Sequence, residues 1–103
     1  MRDPALLQEV KAILSKLSEL APGNSVEVRI PPYSAIQCVA GSKHRRGTPP
    51  NVVEMSRETL LDLISNKIDW ASAIASGAVQ ASGDRADLSE LFVRLAQTIR
   101  IRP

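Results

Sequence analysis

Aromatic side chains are scarce in this chain of 103 residues: Tyr33, Trp70 and Phe92 are the whole supply, 3% of the sequence. A core built with so few rings must be packed from Leu, Ile, Val and Ala, and bases find no aromatic platform to stack on, which disfavours a nucleic-acid partner. Cysteine is limited to Cys38, so no internal disulfide forms and no thiol pair is spaced to hold a metal. That usage suits a reducing cytoplasm.

Charge of one sign is also lacking. Thirteen Lys and Arg against eleven Asp and Glu leave a formal charge of +2, and the pI near 9.0 exaggerates that small excess. The charges are interspersed, so a general basic coat for nucleic acid or anionic membrane is not expected, while a local basic patch stays open. Long apolar runs are missing too, because Glu9, Lys11 and Lys16 interrupt the N-terminal stretch. Neither a signal peptide nor a membrane span is expected, and no stable membrane insertion. The length suits one domain, residues 1–103, and no internal repeat divides it.

What is present is a readable order of elements. Leu6, Val10, Ile13, Leu14, Leu17 and Leu20 recur at helical spacing, Asp3 is placed to cap, and Pro4 suits a first turn, so a helix is predicted over 4–20. Pro22-Gly23-Asn24 stops it. Val26, Val28 and Ile30 then alternate with Glu27 and Arg29, the period of a half-buried strand that ends at Pro31-Pro32. A second strand is expected over Ala35–Ala40, followed by a polar loop, Gly41 to Pro50, with cations at Lys43, Arg45 and Arg46.

Asn51–Met55 reads as a third strand, and Ser56 caps a helix striped by Leu60, Leu61, Ile64 and Ile68. Asp69 caps a shorter helix with Trp70, Ala73 and Ile74 that ends at Gly77. Ala78–Ser82 is the fourth strand. Gly83-Asp84 turns into a last helix with Leu88, Leu91, Phe92 and Leu95, after which the alternating tail from Thr98 frays or adds an edge strand. Two strands joined by a few residues are antiparallel, which gives an α+β layer with helices against one face of a mostly antiparallel sheet of four or five strands.

The order of strand, Ser-capped helix, short helix, Ser-Gly, strand, Gly-Asp and helix resembles the C-terminal half of the sterol carrier protein 2 family. Ser56, Leu60, Leu61, Ala73, Ser76, Gly77, Val79, Gly83, Asp84 and Leu88 carry the likeness. The stretches VEVRIPPYSAIQCVAG and RGTPPNVVEM are similar to a compact bacterial group of sterol-carrier-like proteins. The resemblance implies a sheet covered by helices and a hydrophobic tunnel or groove that accepts a lipid chain or sterol-like molecule. Its candidate lining here is Ile36, Cys38, Val53, Met55, Leu61, Trp70, Ile74, Phe92 and Leu95, residues that would equally form a filled core.

Energetics narrow the form of such a groove. An empty apolar cavity costs about 24 cal/mol per Å³, so about 300 Å³ would consume roughly 7 kcal/mol of a domain's stability of about 5–15 kcal/mol. The groove is therefore expected to be small, open to solvent or filled.

Other constellations carry little chemistry. Lys43, Arg45 and Arg46 offer guanidinium and ammonium donors for an anionic head group, but the loop lacks the lysine-hydroxyl ending of a phosphate-binding loop. His44 sits between cations and is a spectator, Cys38 is a packed thiol, and Asp84 and Asp87 cap a helix start. No metal site, cofactor or catalytic set is expected. The leading expectation is a non-catalytic carrier of an apolar or amphipathic small molecule. An interaction or scaffolding module, whose groove or sheet edge receives a protein partner's segment, and an accessory domain of an enzyme are the rivals.

Overall fold

The computed structural model describes residues 3–41 and 51–100. Its elements run α1 (Pro4–Leu20), β1 (Val26–Ile30), β2 (Ser34–Cys38), β3 (Asn51–Met55), α2 (Arg57–Ile64), α3 (Trp70–Ser76), β4 (Val79–Ser82) and α4 (Ser89–Arg100). The four strands form one sheet in the order β2-β1-β3-β4. β1 pairs antiparallel with β2, and β3 with β4, while β1 and β3 run parallel. The architecture is α+β, with a mixed, mostly antiparallel sheet.

Alternation along the strands separates the two faces of the sheet. Val26, Val28, Ile30, Cys38, Val53, Met55 and Val79 turn inward and are buried with Val10, Leu14 and Leu17 of α1, Leu60 of α2 and Leu95 of α4 in one hydrophobic cluster. Glu27, Arg29, Gln37, Glu54 and Gln80 occupy the opposite face, half-buried or exposed. Helices thus cover one face and water wets the other.

Local chemistry explains the ends of the elements. The Asp3 Oδ1 accepts a hydrogen bond from the Ala5 N–H at 2.8 Å, and Pro4 opens α1, as its missing donor allows. The hairpin between β1 and β2 closes where the Tyr33 N–H donates to the Ile30 carbonyl at 2.8 Å, next to a cis Pro31–Pro32 peptide. β2 ends at Cys38, two residues before the expected boundary, because Val39 takes a left-handed φ of 67°. That conformation is costly for a β-branched residue.

Three hydrogen bonds hold Val39 there. Its N–H donates to the Ala21 carbonyl at 2.7 Å, and its own carbonyl accepts from the Ser25 N–H at 3.0 Å and the Ser25 Oγ at 2.7 Å. Gly23 faces this knot with φ 144°, and a Cβ built on it would lie 2.3 Å from both the carbonyl carbon and oxygen of Val39. Only glycine fits.

Asn51 is the second clamp. Buried at the start of β3, it donates through Nδ2 to the Ser25 carbonyl at 2.8 Å and accepts through Oδ1 from the Arg85 N–H at 2.9 Å, joining β1, β3 and the turn after β4. On the helical side the Ser56 Oγ caps α2 by accepting from the Thr59 N–H at 3.1 Å, and Arg57 pairs with Glu9 of α1 at 2.7 Å.

The last helix departs from the expectation at both ends. Its first residue is Ser89, so Leu88 precedes it, and the chain turns at residues 83–85 and runs without helix through 86–88. Its last is Arg100, so residues 98–100 continue the helix and form no edge strand. Ile99 explains this, because it lies four residues beyond Leu95 and packs half-buried against the core, a helical rather than an alternating pattern.

Candidate functional site

α3 is short and rich in small residues, WASAIAS, and its geometry is set at both ends. The Asp69 Oδ1 accepts from the Ser72 N–H at 2.7 Å at the start. Gly77 ends the helix with φ 81°, the left-handed cap for which glycine carries no steric penalty. Ala73 points inward and is buried, whereas Trp70 is half-buried and Ile74 is 39% exposed. The helix therefore buries one small side chain and leaves its two largest apolar ones partly in water.

Trp70 rests on Phe92 of α4, ring centroids 5.3 Å apart and planes tilted by 44°. Phe92 is buried, so it anchors the indole from beneath. Beside the indole, Leu63, Ile68, Trp70, Phe92 and Val93 surround a hollow of about 230 Å³ between α2, α3 and α4, with Asn66, Asp69 and Ser89 as its polar lining. Trp70 and Ala71, with Ile74, Ala75, Ala81, Ala86 and Asp87, also line a second hollow of about 470 Å³ between α3 and the end of β4. Val93 is 56% exposed, and with Ile74 it completes the large apolar side chains classed as exposed among the described residues. One apolar strip thus runs through Trp70, interrupted by no charged side chain except the two aspartates.

Two further hollows have charged side chains of both signs in their walls. One of about 570 Å³, between α2 and the end of α4, has Leu61, Ile64 and Ile99 ringed by Glu58, Asp62 and Lys67. The other lies on the wet face of the sheet against Glu27, Arg29, Tyr33 and Glu54. The first is the larger and is mainly apolar, but only the Trp70 hollows combine an aromatic side chain with Ile74 and Val93, the large apolar side chains left exposed among the described residues.

The residues expected to line a groove divide among these places. Trp70, Ile74 and Phe92 meet at the strip, and Leu61 lines the α2–α4 hollow. Val53, Met55, Leu95 and Cys38 are buried in the hydrophobic cluster, and Ile36 packs half-buried against it. Lys43, Arg45, Arg46 and His44 lie outside the described residues. The hollows around Trp70 also use residues that periodicity passes over. Val93 falls off the Leu88, Leu91, Phe92 and Leu95 stripe, and an apolar residue on the polar side of an amphipathic helix is the signal that marks it. Ala71, Ala75, Ala81 and Ala86 matter because they are small, and the density of alanine in residues 71–86 is their only signature.

The site holds little reactive chemistry. Among the described residues no three His, Cys, Asp or Glu side chains are grouped to bind a metal. Burial pushes the Cys38 thiol up to about 11, so it stays protonated at neutral pH. Asp69 and Asp87 are both held below the ordinary carboxylate range, Asp69 chiefly by the Ser72 backbone N–H and Asp87 chiefly by that of Ser89. Both are exposed and ionised at neutrality. Among the described residues no helix is long and apolar enough to cross a membrane.

With this geometry in view, the comparisons with known proteins place the chain. The family described as bacterial SCP ortholog matches residues 3–93, and the protein belongs to that family. Among solved structures, the chain is similar to a UbiJ-SCP2 ubiquinone synthesis protein at 20% identity and a TM-score of 0.51, over 96% of this chain and 85% of that one. It also matches a possible sterol carrier protein from Thermus thermophilus, at 16% identity and a TM-score of 0.45, over 100% of this chain and 92% of that one. A third match is the sterol carrier protein 2 like 2 of Aedes aegypti, at 14% identity and a TM-score of 0.46, over 87% of this chain and 95% of that one. No curated protein matches the chain at significance. The first of these structures supports the fold, which is sterol-carrier-like.

Proposed function

We propose that this protein is a non-catalytic, single-domain cytoplasmic binder of an apolar or amphipathic small molecule, a lipid or sterol-like ligand, and that the ligand lies along the Trp70 strip. The observation that carries the reading is the partly exposed Trp70, in contact with buried Phe92 and lining two hollows that Ile74 and Val93 border in the open. Membership of the SCP family supports it.

The form of the site agrees with the energetic argument. Hollows open to solvent carry no penalty for an enclosed void, and they are available at the surface rather than inside a core filled by Val53, Met55 and Leu95. A ligand of about 20 heavy atoms at about −0.3 kcal/mol per atom would bind by about −6 kcal/mol, a Kd of some tens of micromolar. Such an affinity suits a molecule that is picked up and handed on.

Native mass spectrometry of protein purified without detergent tests the reading. A retained apolar adduct, or one formed on adding a fatty alcohol or a sterol, is expected. Bare protein under both conditions would refute it, and a stoichiometric protein partner in place of a small molecule would favour the interaction-module alternative.

A further inference from the structure

The two hollows beside Trp70 share an electrostatic feature. Each has one carboxylate in its wall, Asp69 in the smaller and Asp87 in the larger, and neither has a lysine or arginine among its described lining residues. Both acids are exposed and ionised at neutral pH, and each accepts a backbone N–H through Oδ1, from Ser72 at 2.7 Å for Asp69 and from Ser89 at 3.0 Å for Asp87. A carboxylate offers about four lone-pair directions, so this bond leaves acceptor capacity at the mouth of each hollow. The remaining polar lining of the smaller hollow, Asn66 and Ser89, brings no positive charge.

Resting on the proposal that the Trp70 strip binds a small molecule, we infer that its ligand ends in a hydrogen-bond-donating head group, a hydroxyl or an ammonium, and that the strip discriminates against carboxylate and phosphate heads. The apolar body lies against Trp70, Ile74 and Ala81, and the donor head meets Asp87 or Asp69 at the edge. The indole face adds to the preference when the head is an ammonium. An anionic head would be brought beside a like charge with no lysine or arginine among the described lining residues to offset it. Coulomb's law in water separates an ammonium from a carboxylate by about fivefold for each aspartate at a distance of about 8 Å. Screening by salt reduces this, so the selection is on the order of tenfold at low ionic strength.

Trp70 is the protein's one tryptophan, so its emission reports on this strip alone. The full chain is titrated at pH 7.5 and low salt with decan-1-ol, decylammonium and decanoate, three probes with the same tail, below their micelle concentrations. Decylammonium is expected to bind on the order of tenfold more tightly than decanoate, with decan-1-ol between them. In an Asp69→Asn, Asp87→Asn double variant, which keeps the capping acceptors, the three should come within about twofold of one another. Decanoate binding as tightly as decan-1-ol, or a preference that survives the double variant, would overturn the head-group inference while leaving the strip as the binding site. Failure of all three probes to change the emission would instead refute the strip itself, and the inference with it.

Discussion

Replacing Gly23 by alanine should damage this protein far more than an exposed loop position would suggest. The new Cβ would meet the Val39 carbonyl carbon and oxygen at 2.3 Å and the Ala40 nitrogen at 2.5 Å, and none of these backbone atoms can swing aside like a side-chain tip. Relief to ordinary contact requires the chain to part by about 1 Å, enough to break the hydrogen bonds that Val39 makes with Ala21 and Ser25. Three such bonds contribute about 1 kcal/mol each, the positive φ adds about 1 kcal/mol, and the lost unfolded-state entropy returns about 0.5 kcal/mol. The net loss is about 3–4 kcal/mol. At about 2.1 cal/mol/K per residue, a domain of this length should then melt about 15 °C lower.

Gly77→Ala is the control. It also has positive φ, 81°, but a Cβ there meets nothing within 4 Å. By the same terms the cost should be about 0.5 kcal/mol, or about 2 °C. Thermal melts of both variants by circular dichroism make the comparison, and a Gly23→Ala melt no lower than that of Gly77→Ala would refute the account of this knot.

Other positions give independent checks. Asn51→Ala orphans the Ser25 carbonyl and the Arg85 N–H, and at about 1–3 kcal/mol for each unsatisfied buried group it should lower the urea midpoint sharply with an unchanged slope. A midpoint near wild type would show that the clamp is dispensable. The Cys38 thiol, buried and raised to about 11, should stay unreactive to a thiol reagent at pH 8 in the native protein and be fully modified in denaturant. Rapid native labelling would contradict its burial. Asp69 and Asp87 have folded-state values depressed below their unfolded ones, so their capping contribution is complete above the ordinary carboxylate range and is lost as pH falls below about 4. An acid transition that the Asp69→Asn, Asp87→Asn pair leaves unchanged would show that these caps do not contribute.

Most of the fold was legible because local signals agreed with tertiary ones. The Asp3, Ser56 and Asp69 caps, the Val26, Val28 and Ile30 alternation, and the stop at Gly77 all stand where composition and spacing put them. What escaped had causes beyond local pattern. The end of β2 depends on Val39 entering a conformation that only its bonds to Ala21 and Ser25 sustain, and the parallel pairing of β1 with β3 depends on contacts distant in sequence.

The site was legible only in part, because its largest members obey the same apolar periodicity as the core. Trp70, Ile74 and Phe92 could be named from their type, but spacing alone could not tell the partly exposed Trp70 and Ile74 from Val53 or Leu95, which the fold buries with Phe92. Val93 and the small residues Ala71, Ala81 and Ala86 become meaningful only once α3 is laid beside β4 and α4.

The most direct test of the binding strip is amide chemical-shift mapping on the full chain with decan-1-ol as the added ligand. The account predicts perturbations concentrated over residues 68–75 and 89–93, with smaller ones at 81–87, while the α2–α4 hollow around Leu61 and Ile99 stays quiet. Perturbations centred on that other hollow, or none at saturating alcohol, would contradict it.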